Sequence, residues 1–540
     1  MDNVKKSQSK SGRDKFIGHP TLNKMDIWNY IEILSNKKQS WLFPKDNLEK
    51  RLIALTKILE NGYPTTIHSL IPYLKDKNKE IQNATCNTMI GLFAKIETKK
   101  GYYDTLKHCD ISKSDIDLYE NTFTQEQFVR LLSIASLNNS GYIREKAVKK
   151  LSVSNNEKAI QFIIYRLADW VQVVGQSALQ GIENFKKPQF INAFVDNLSI
   201  FEWLQKVERT DLSSVYNGII NFILTENKDY VFKNFPAFSD KTRLLLARHI
   251  SSSPNTSPSE ITLLLNDKHF LIRNFALAHF DKLSQEEINN LLKDKSARVR
   301  IQVLYKLKSQ SGFIQLILSF LIDKSASVRE FARFTLKNEI ADFATIYNDN
   351  LKKNKEIFAS LCGLAETNGE QFSESVEPFL QDRKIKIKKT AFLALTKLNE
   401  QKAYDFAITN LDSEIIGIRN VAIEFLQKKL NTEVLEKARE IYKNGKFDLK
   451  KAMLKMFNNI GGWTTVADFI IGTIDENENI RNLSLGYLQM WKVKAVRLFT
   501  QPKADELERV KKIFNFAFEM HEDKKYFKEN PLTGLDFYLR

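Results

Sequence analysis

A chain of 540 residues that is 43% hydrophobic can bury an extensive core, and with only 19 Gly and 11 Pro it lacks the turn punctuation of an all-β protein, so helix is expected nearly throughout. Three cysteines, Cys86, Cys109 and Cys362, lie far apart with no CxxC pair, which argues against a disulfide scaffold or zinc module and for a reducing compartment. The net charge of +16 is spread along the chain rather than gathered into one basic arm, as on a solvated lysine-rich surface.

The amino-terminal stretch MDNVKKSQSKSGRDK is basic and polar with no apolar run behind it, so residues 1–20 read as a disordered basic tail and not as a secretory signal. Helical periodicity begins near Leu22, and Asp76, Ile81 and Ala84 form the first weak copy of a pattern that recurs later. Residues 98–122 break the rhythm and are expected to form a loop on one face, a common place for binding residues. Lys99, Lys100, Tyr102, Tyr103, Lys107 and His108 there offer positive charge beside aromatic planes. Thr124 and Gln127 have capping-box spacing for the next helix.

Two further copies follow, at Ile143/Arg144/Ala147 and Asp169/Val174/Ala178, with Gly175 where an arginine is expected. Plausible helices run from Phe190 to Val207 and from Leu212 to Leu224. The segment SSSPNTSPSE at 251–260 contains two prolines and five serines and cannot continue a helix. Ser257, Pro258 and Glu260 within it can start a new helix, so a local turn is preferred to an interdomain linker.

From Leu265 to Leu336 the pattern occurs three times: Asp267/Ile272/Arg273/Ala276, Asp294/Val299/Arg300/Val303 and Asp323/Val328/Arg329/Ala332. Ile272 to Val299 is 27 residues and Val299 to Val328 is 29, about one helical hairpin per copy. Later copies carry Asp382 with Lys388, Ser413 with Arg419, and Asp475 with Arg481. A long helix from Asp505 to about Lys525 ends the chain.

This pattern resembles the HEAT repeat. The resemblance implies an all-α, right-handed α-solenoid of stacked helical hairpins, roughly twelve to fifteen of them. Residues 21–250 would hold degenerate repeats with the insertion at 98–122, residues 261–500 regular repeats, and residues 501–540 a capping helix and tail. The aspartate is expected in the turn between helices, where a carboxylate meets N–H groups at a helix start. The arginine or lysine six residues later can reach that aspartate or its counterpart one repeat away. In HEAT proteins such pairs form a ladder, a structural role the resemblance assigns to Asp267, Arg273, Asp294, Arg300, Asp323, Arg329, Asp382, Lys388, Arg419, Asp475 and Arg481. Gln82, Gly175 and Ser413 should interrupt it.

The sequence offers little chemistry. It has no phosphate-binding glycine loop, HExxH or GxSxG, and no catalytic residue, metal site or cofactor is expected. The longest apolar run, Phe313 to Ile322, is interrupted by Gln315 and Ser319 and is about half the ~20 residues a membrane span needs. A cytoplasmic location without a membrane partner is expected. The preferred reading is a non-enzymatic scaffold that binds another macromolecule, most readily a protein, on a concave helix-lined surface. The alternative is a nucleic-acid enzyme resembling the HEAT-like DNA glycosylases. Its one candidate pair is Asp169 and Trp170, a carboxylate beside an aromatic face, with Asp169 also in register as a ladder residue. Only weak, non-specific nucleic-acid binding is expected.

Overall fold

A computed structural model of the chain describes residues 24–35, 47–96, 104–495 and 501–539. The described residues contain helices, turns and no strand. They fall into two compact units, Met1–Leu283 and Ser284–Arg540. Each unit is an all-α stack of HEAT-like hairpins, in which the second helix of one hairpin packs against the second helix of the next.

In the first unit, Gly141–Ser152 packs on Gln172–Phe185, which also packs on its own hairpin partner Ile160–Leu167. In the second unit the same relation joins Ala297–Leu307 to Ala326–Leu336, Ile385–Leu398 to Ile416–Lys428, and Phe447–Ile460 to Glu478–Ala495. The repeated anchors explain this. A β-branched residue near the start of each second helix and a small residue four positions on lie on one face. Val174, Ala178, Ile272, Ala276, Val328, Ala332, Ile418 and Ala422 all have 0% exposure. The small side chains let neighbouring helices approach closely. Gly363 is the extreme case, since a Cβ there would stand 2.4 Å from the ring of Tyr347.

The turns follow one rule. The aspartate carboxylate accepts the backbone N–H two residues on, from Val171 to Asp169 at 2.9 Å, His269 to Asp267 at 2.7 Å and Ser325 to Asp323 at 2.7 Å. The arginine six residues after it donates to the carbonyl of the same turn: Arg273 to Asp267 at 2.8 Å, Arg300 to Asp294 at 2.6 Å and Arg481 to Asp475 at 2.9 Å. Side chain and backbone thus close each turn from both sides.

The structure corrects the sequence reading in three places. The last ten residues of the expected loop at 98–122 form the helix Lys113–Thr122, opened by a Ser112/Asp115 capping box and burying Ile116 and Tyr119. The position assigned to Ala84 belongs to Thr85, which has 0% exposure and lies four residues after Ile81, as in the other copies. The helix expected from Phe190 to Val207 is broken into Ile191–Asp196 and Leu198–Leu204, with Asn197 between them outside helical geometry. The turn at 251–260 lies within the first unit, where Ser257 and Glu260 form a capping box that starts Pro258–Leu265. At the carboxyl end Ala504–Lys524 packs on Gly462–Gly472. Arg509 ties it there through the buried Asp468 at 2.6 Å.

Candidate binding groove

The ladder arginines reach forward. Arg144 donates to Asp169 through Nε and Nη2 at 2.8 and 2.8 Å, Arg243 to Asp267 at 2.7 and 3.3 Å, and Arg300 to Asp323 at 2.9 and 2.5 Å. Arg51 also binds Asp76, through its two terminal nitrogens, while its Nε donates to the Leu34 carbonyl. Arg144, Arg243 and Arg300 each hold their own turn by a carbonyl and the following turn by a carboxylate. Gln82 and Gly175 do not release the aspartates of their own copies, because Arg51 and Arg144 hold those from the preceding hairpin. Asn138 takes the aspartate's place one turn before Asp169 and still accepts the N–H of Ser140 at 2.9 Å.

Of the residues singled out in 98–122, Lys99, Lys100, Tyr102 and Tyr103 lie outside the described residues. Lys107 and His108 are exposed, and His108 Nδ1 faces the side-chain amide of Asn139 at 3.3 Å. Trp170 is 76% exposed, with the Arg144 guanidinium 5.8 Å from its ring centroid. The Asp169 side chain has 0% exposure and also receives Arg166 at 2.9 Å. A carboxylate enclosed in this way has no route to an extruded nucleotide. Burial alone would raise the carboxyl pKa of Asp169, but hydrogen bonds from Arg144 and Val171 and the charge of Arg166 outweigh burial and hold it below the usual range. The stability it contributes is therefore complete above the ordinary carboxyl value of about 3.9 and is lost as pH falls through the lower folded value. The stability gap between the parent and Asp169→Ala should shrink as denaturation is repeated below about pH 4. A gap that stays constant into strong acid would contradict this.

In the second unit the ladder changes partner. Lys450 continues it to Asp475 at 2.7 Å, but Arg329 binds Glu366, the last residue of helix Ile357–Glu366, instead of a turn aspartate. The turn of the hairpin Phe343–Glu366 carries Asn354 three residues before its second helix, where Asp323 stands three residues before Ala326. Arg333 also donates to Glu366 at 2.9 Å and to the Tyr347 hydroxyl at 3.1 Å, and that hydroxyl donates to the Leu321 carbonyl at 3.0 Å. Three residues around this hairpin, Asn354, Glu356 and Asn368, have φ of 52°, 45° and 51°, a left-handed conformation that costs a non-glycine residue energy.

A groove of 1090 Å³ runs along Ala326–Leu336 and is bordered by Ala365, Glu366, Lys397 and Leu398. Phe334 stands in it 64% exposed, with the Lys337 ammonium 4.7 Å from its ring centroid. At one end of the groove Asp342 caps the start of Phe343–Lys352, accepting the N–H of Ala344 at 2.9 Å. The site combines an exposed aromatic ring, small apolar walls and charges of both signs. Nothing in the sequence pattern marks it, because Glu366 and Lys397 belong to no repeat anchor.

Reactive chemistry is sparse. Burial pushes the thiols of Cys86 and Cys109 up to about 12, which keeps them protonated at neutral pH. Among the described residues no cluster of His, Cys, Asp and Glu is arranged to hold a metal, and no helix is long and apolar enough to cross a membrane.

No family model and no curated protein matches the chain. Solved structures similar to it include Kap121p, at 10% identity and a TM-score of 0.30 over 95% of this chain and 67% of that one. Importin beta is similar at 10% identity and a TM-score of 0.25, over 91% and 67% of the two chains. A chain of the full-length AP-3 complex is similar at 12% identity and a TM-score of 0.22, over 90% and 97%. Likeness at this level carries no inference about partner or activity. The HEAT-like character of the chain rests on its own recurring turn, in which an aspartate such as Asp267, Asp294 or Asp475 accepts the N–H two residues on and an arginine six residues on donates to its carbonyl.

Proposed function

We propose that the chain is a non-enzymatic scaffold that binds another protein on the inner, helix-lined surface of its stack, with the groove along Ala326–Leu336 as the principal seat. The observation that carries this reading is Phe334, a large aromatic side chain left 64% exposed in a 1090 Å³ groove. An exposed ring in a concave site bordered by charge is the usual anchor of a protein interface. Charges of both signs along the groove suit a protein segment better than a polyanion.

The test places a photo-crosslinking amino acid at Phe334 or, as a control, at Tyr305, which is 63% exposed outside the groove. Crosslinking in cells of origin should give a discrete protein adduct from position 334 and none from position 305. Equal labelling at both positions, or adducts to nucleic acid only, would refute the reading.

A further inference from the structure

The ladder has a second interruption, and it leaves cations without acids. Counting six residues back from each ladder cation gives the position of its turn acid: Asp294 for Arg300, Asp475 for Arg481, but Ser413 for Arg419 and Asn444 for Lys450. Lys388 and Arg419 lie on consecutive second helices, Ile385–Leu398 and Ile416–Lys428, and the turns they should reach carry Ser413 and Asn444. Arg419 is 6% exposed and donates through Nη1 to the Ser413 carbonyl at 2.9 Å. Its Nε, the atom that meets a carboxylate in Arg144, Arg243 and Arg300, is buried with no hydrogen-bond partner. A buried donor with no acceptor is costly and uncommon. The exposed acids of the neighbouring turn, Asp412 and Glu414, make no bond to it. A cavity of 160 Å³ whose lining includes Asp412, Lys437, Glu440, Ile441, Asn444 and Leu449 lies between the same two turns.

The surroundings of this gap are aliphatic and exposed. Ile385, Ile415 and Ile416 are 49%, 37% and 60% exposed at the starts of the two helices. Ile385 Cγ2 lies 3.8 Å from the position a Cβ on Gly417 would take, so the two turns form one continuous edge.

We propose that this edge of the second unit docks an acidic, aliphatic segment of a partner protein, whose carboxylate takes the place of the missing ladder acid against Arg419. Neighbouring helices lie about 8–10 Å apart, and a chain in the polyproline-II conformation advances about 3.1 Å per residue and brings every third side chain back to the same side. Carboxylates three residues apart therefore match Lys388 and Arg419, while the residues between them cover the isoleucines. A nucleic acid fits poorly, because it would set phosphates against Ile385, Ile415 and Ile416 and against the carboxylate of Glu414. This surface is separate from the groove at Phe334 and can be tested independently of it.

The experiment measures fluorescence anisotropy of the full chain with a labelled peptide of Leu-Asn-Glu repeats, about twelve residues long so that it spans roughly 40 Å when extended. The same peptide with Gln for Glu, and a single-stranded oligonucleotide, are the comparisons. The Glu peptide should bind at least about ten-fold more tightly than the Gln peptide, as a desolvated charge pair requires. Arg419→Gln should remove that preference. Asn444→Asp, which supplies the carboxylate from within the chain, should weaken Glu-peptide binding by about ten-fold while the protein stays folded by circular dichroism. Phe334→Ala should leave binding unchanged, which separates failure here from failure at the groove. Absent binding of the Glu peptide, equal binding of the Gln peptide, no effect of Asn444→Asp, or tighter binding of the oligonucleotide would each overturn the proposal.

Discussion

Replacing Asp169 with alanine is expected to destabilise the first unit by about 3–5 kcal/mol, the range for removing one partner of a buried ion pair. The Arg144 side chain is 2% exposed and that of Asp169 0%, so solvent cannot replace the lost carboxylate. The substitution leaves Arg144 and Arg166 without their shared acceptor and frees the N–H of Val171. At about 2–4 °C per kcal/mol for a unit of this size, the melting temperature should fall by on the order of 10 °C. Asp169→Asn should cost less, because an amide oxygen can still accept the turn N–H, as Asn138 does one turn earlier. The comparison is Asp117→Ala, which removes a surface pair with Lys146 whose aspartate is 56% exposed and should cost less than about 1 kcal/mol. If the two alanine variants melt together, the ladder contributes no more than ordinary surface charge.

Glu366→Ala is expected to cost a similar amount, again about 3–5 kcal/mol, in the second unit. It leaves two guanidiniums unpaired, Arg329 at 2% and Arg333 at 14% exposure. Burial by itself would make Arg329 easier to deprotonate, but its hydrogen bond and charge contact with Glu366 outweigh burial and push its pKa above the ordinary value; without Glu366 the guanidinium, which stays protonated in proteins, is a buried charge with no counter-ion. Removing both charges together, as Arg329→Met with Glu366→Leu, should recover much of the loss, because apolar side chains of similar volume carry no desolvation penalty. Denaturant unfolding of both single variants and the double variant gives the coupling between the two sites. A double variant whose loss equals the sum of the single losses would show that the pair does not hold the hairpin Phe343–Glu366 to Ala326–Leu336.

The two variants act on parts of the molecule that differ in how far the sequence reveals them. Asp169 was in register with the repeat, and its turn could be read from the aspartate, valine and alanine spacing. Glu366 was not, since it belongs to no repeat anchor and meets Arg329 only once the hairpins are packed. The expected loop at 98–122 is partly helical. Its polar composition hid the helix Lys113–Thr122, whose two core contacts, Ile116 and Tyr119, are too few to show as a periodic stripe.

Local spacing in the sequence specifies most of the helices, the recurring hairpin, the capping boxes at Thr124/Gln127 and Ser257/Glu260, and the turns that carry an aspartate. These depend on residues within about one helical turn of each other, so local spacing is sufficient to specify them. Only the tertiary structure decided that Arg144, Arg243 and Arg300 reach forward to the next turn, that Arg329 turns instead to Glu366, that Arg419 finds no acid at Asn444, and that Phe334 stands in an open groove. Those outcomes depend on how far one packed hairpin is displaced along its neighbour, which is fixed by the fit of side chains from distant parts of the chain and leaves no local pattern to read.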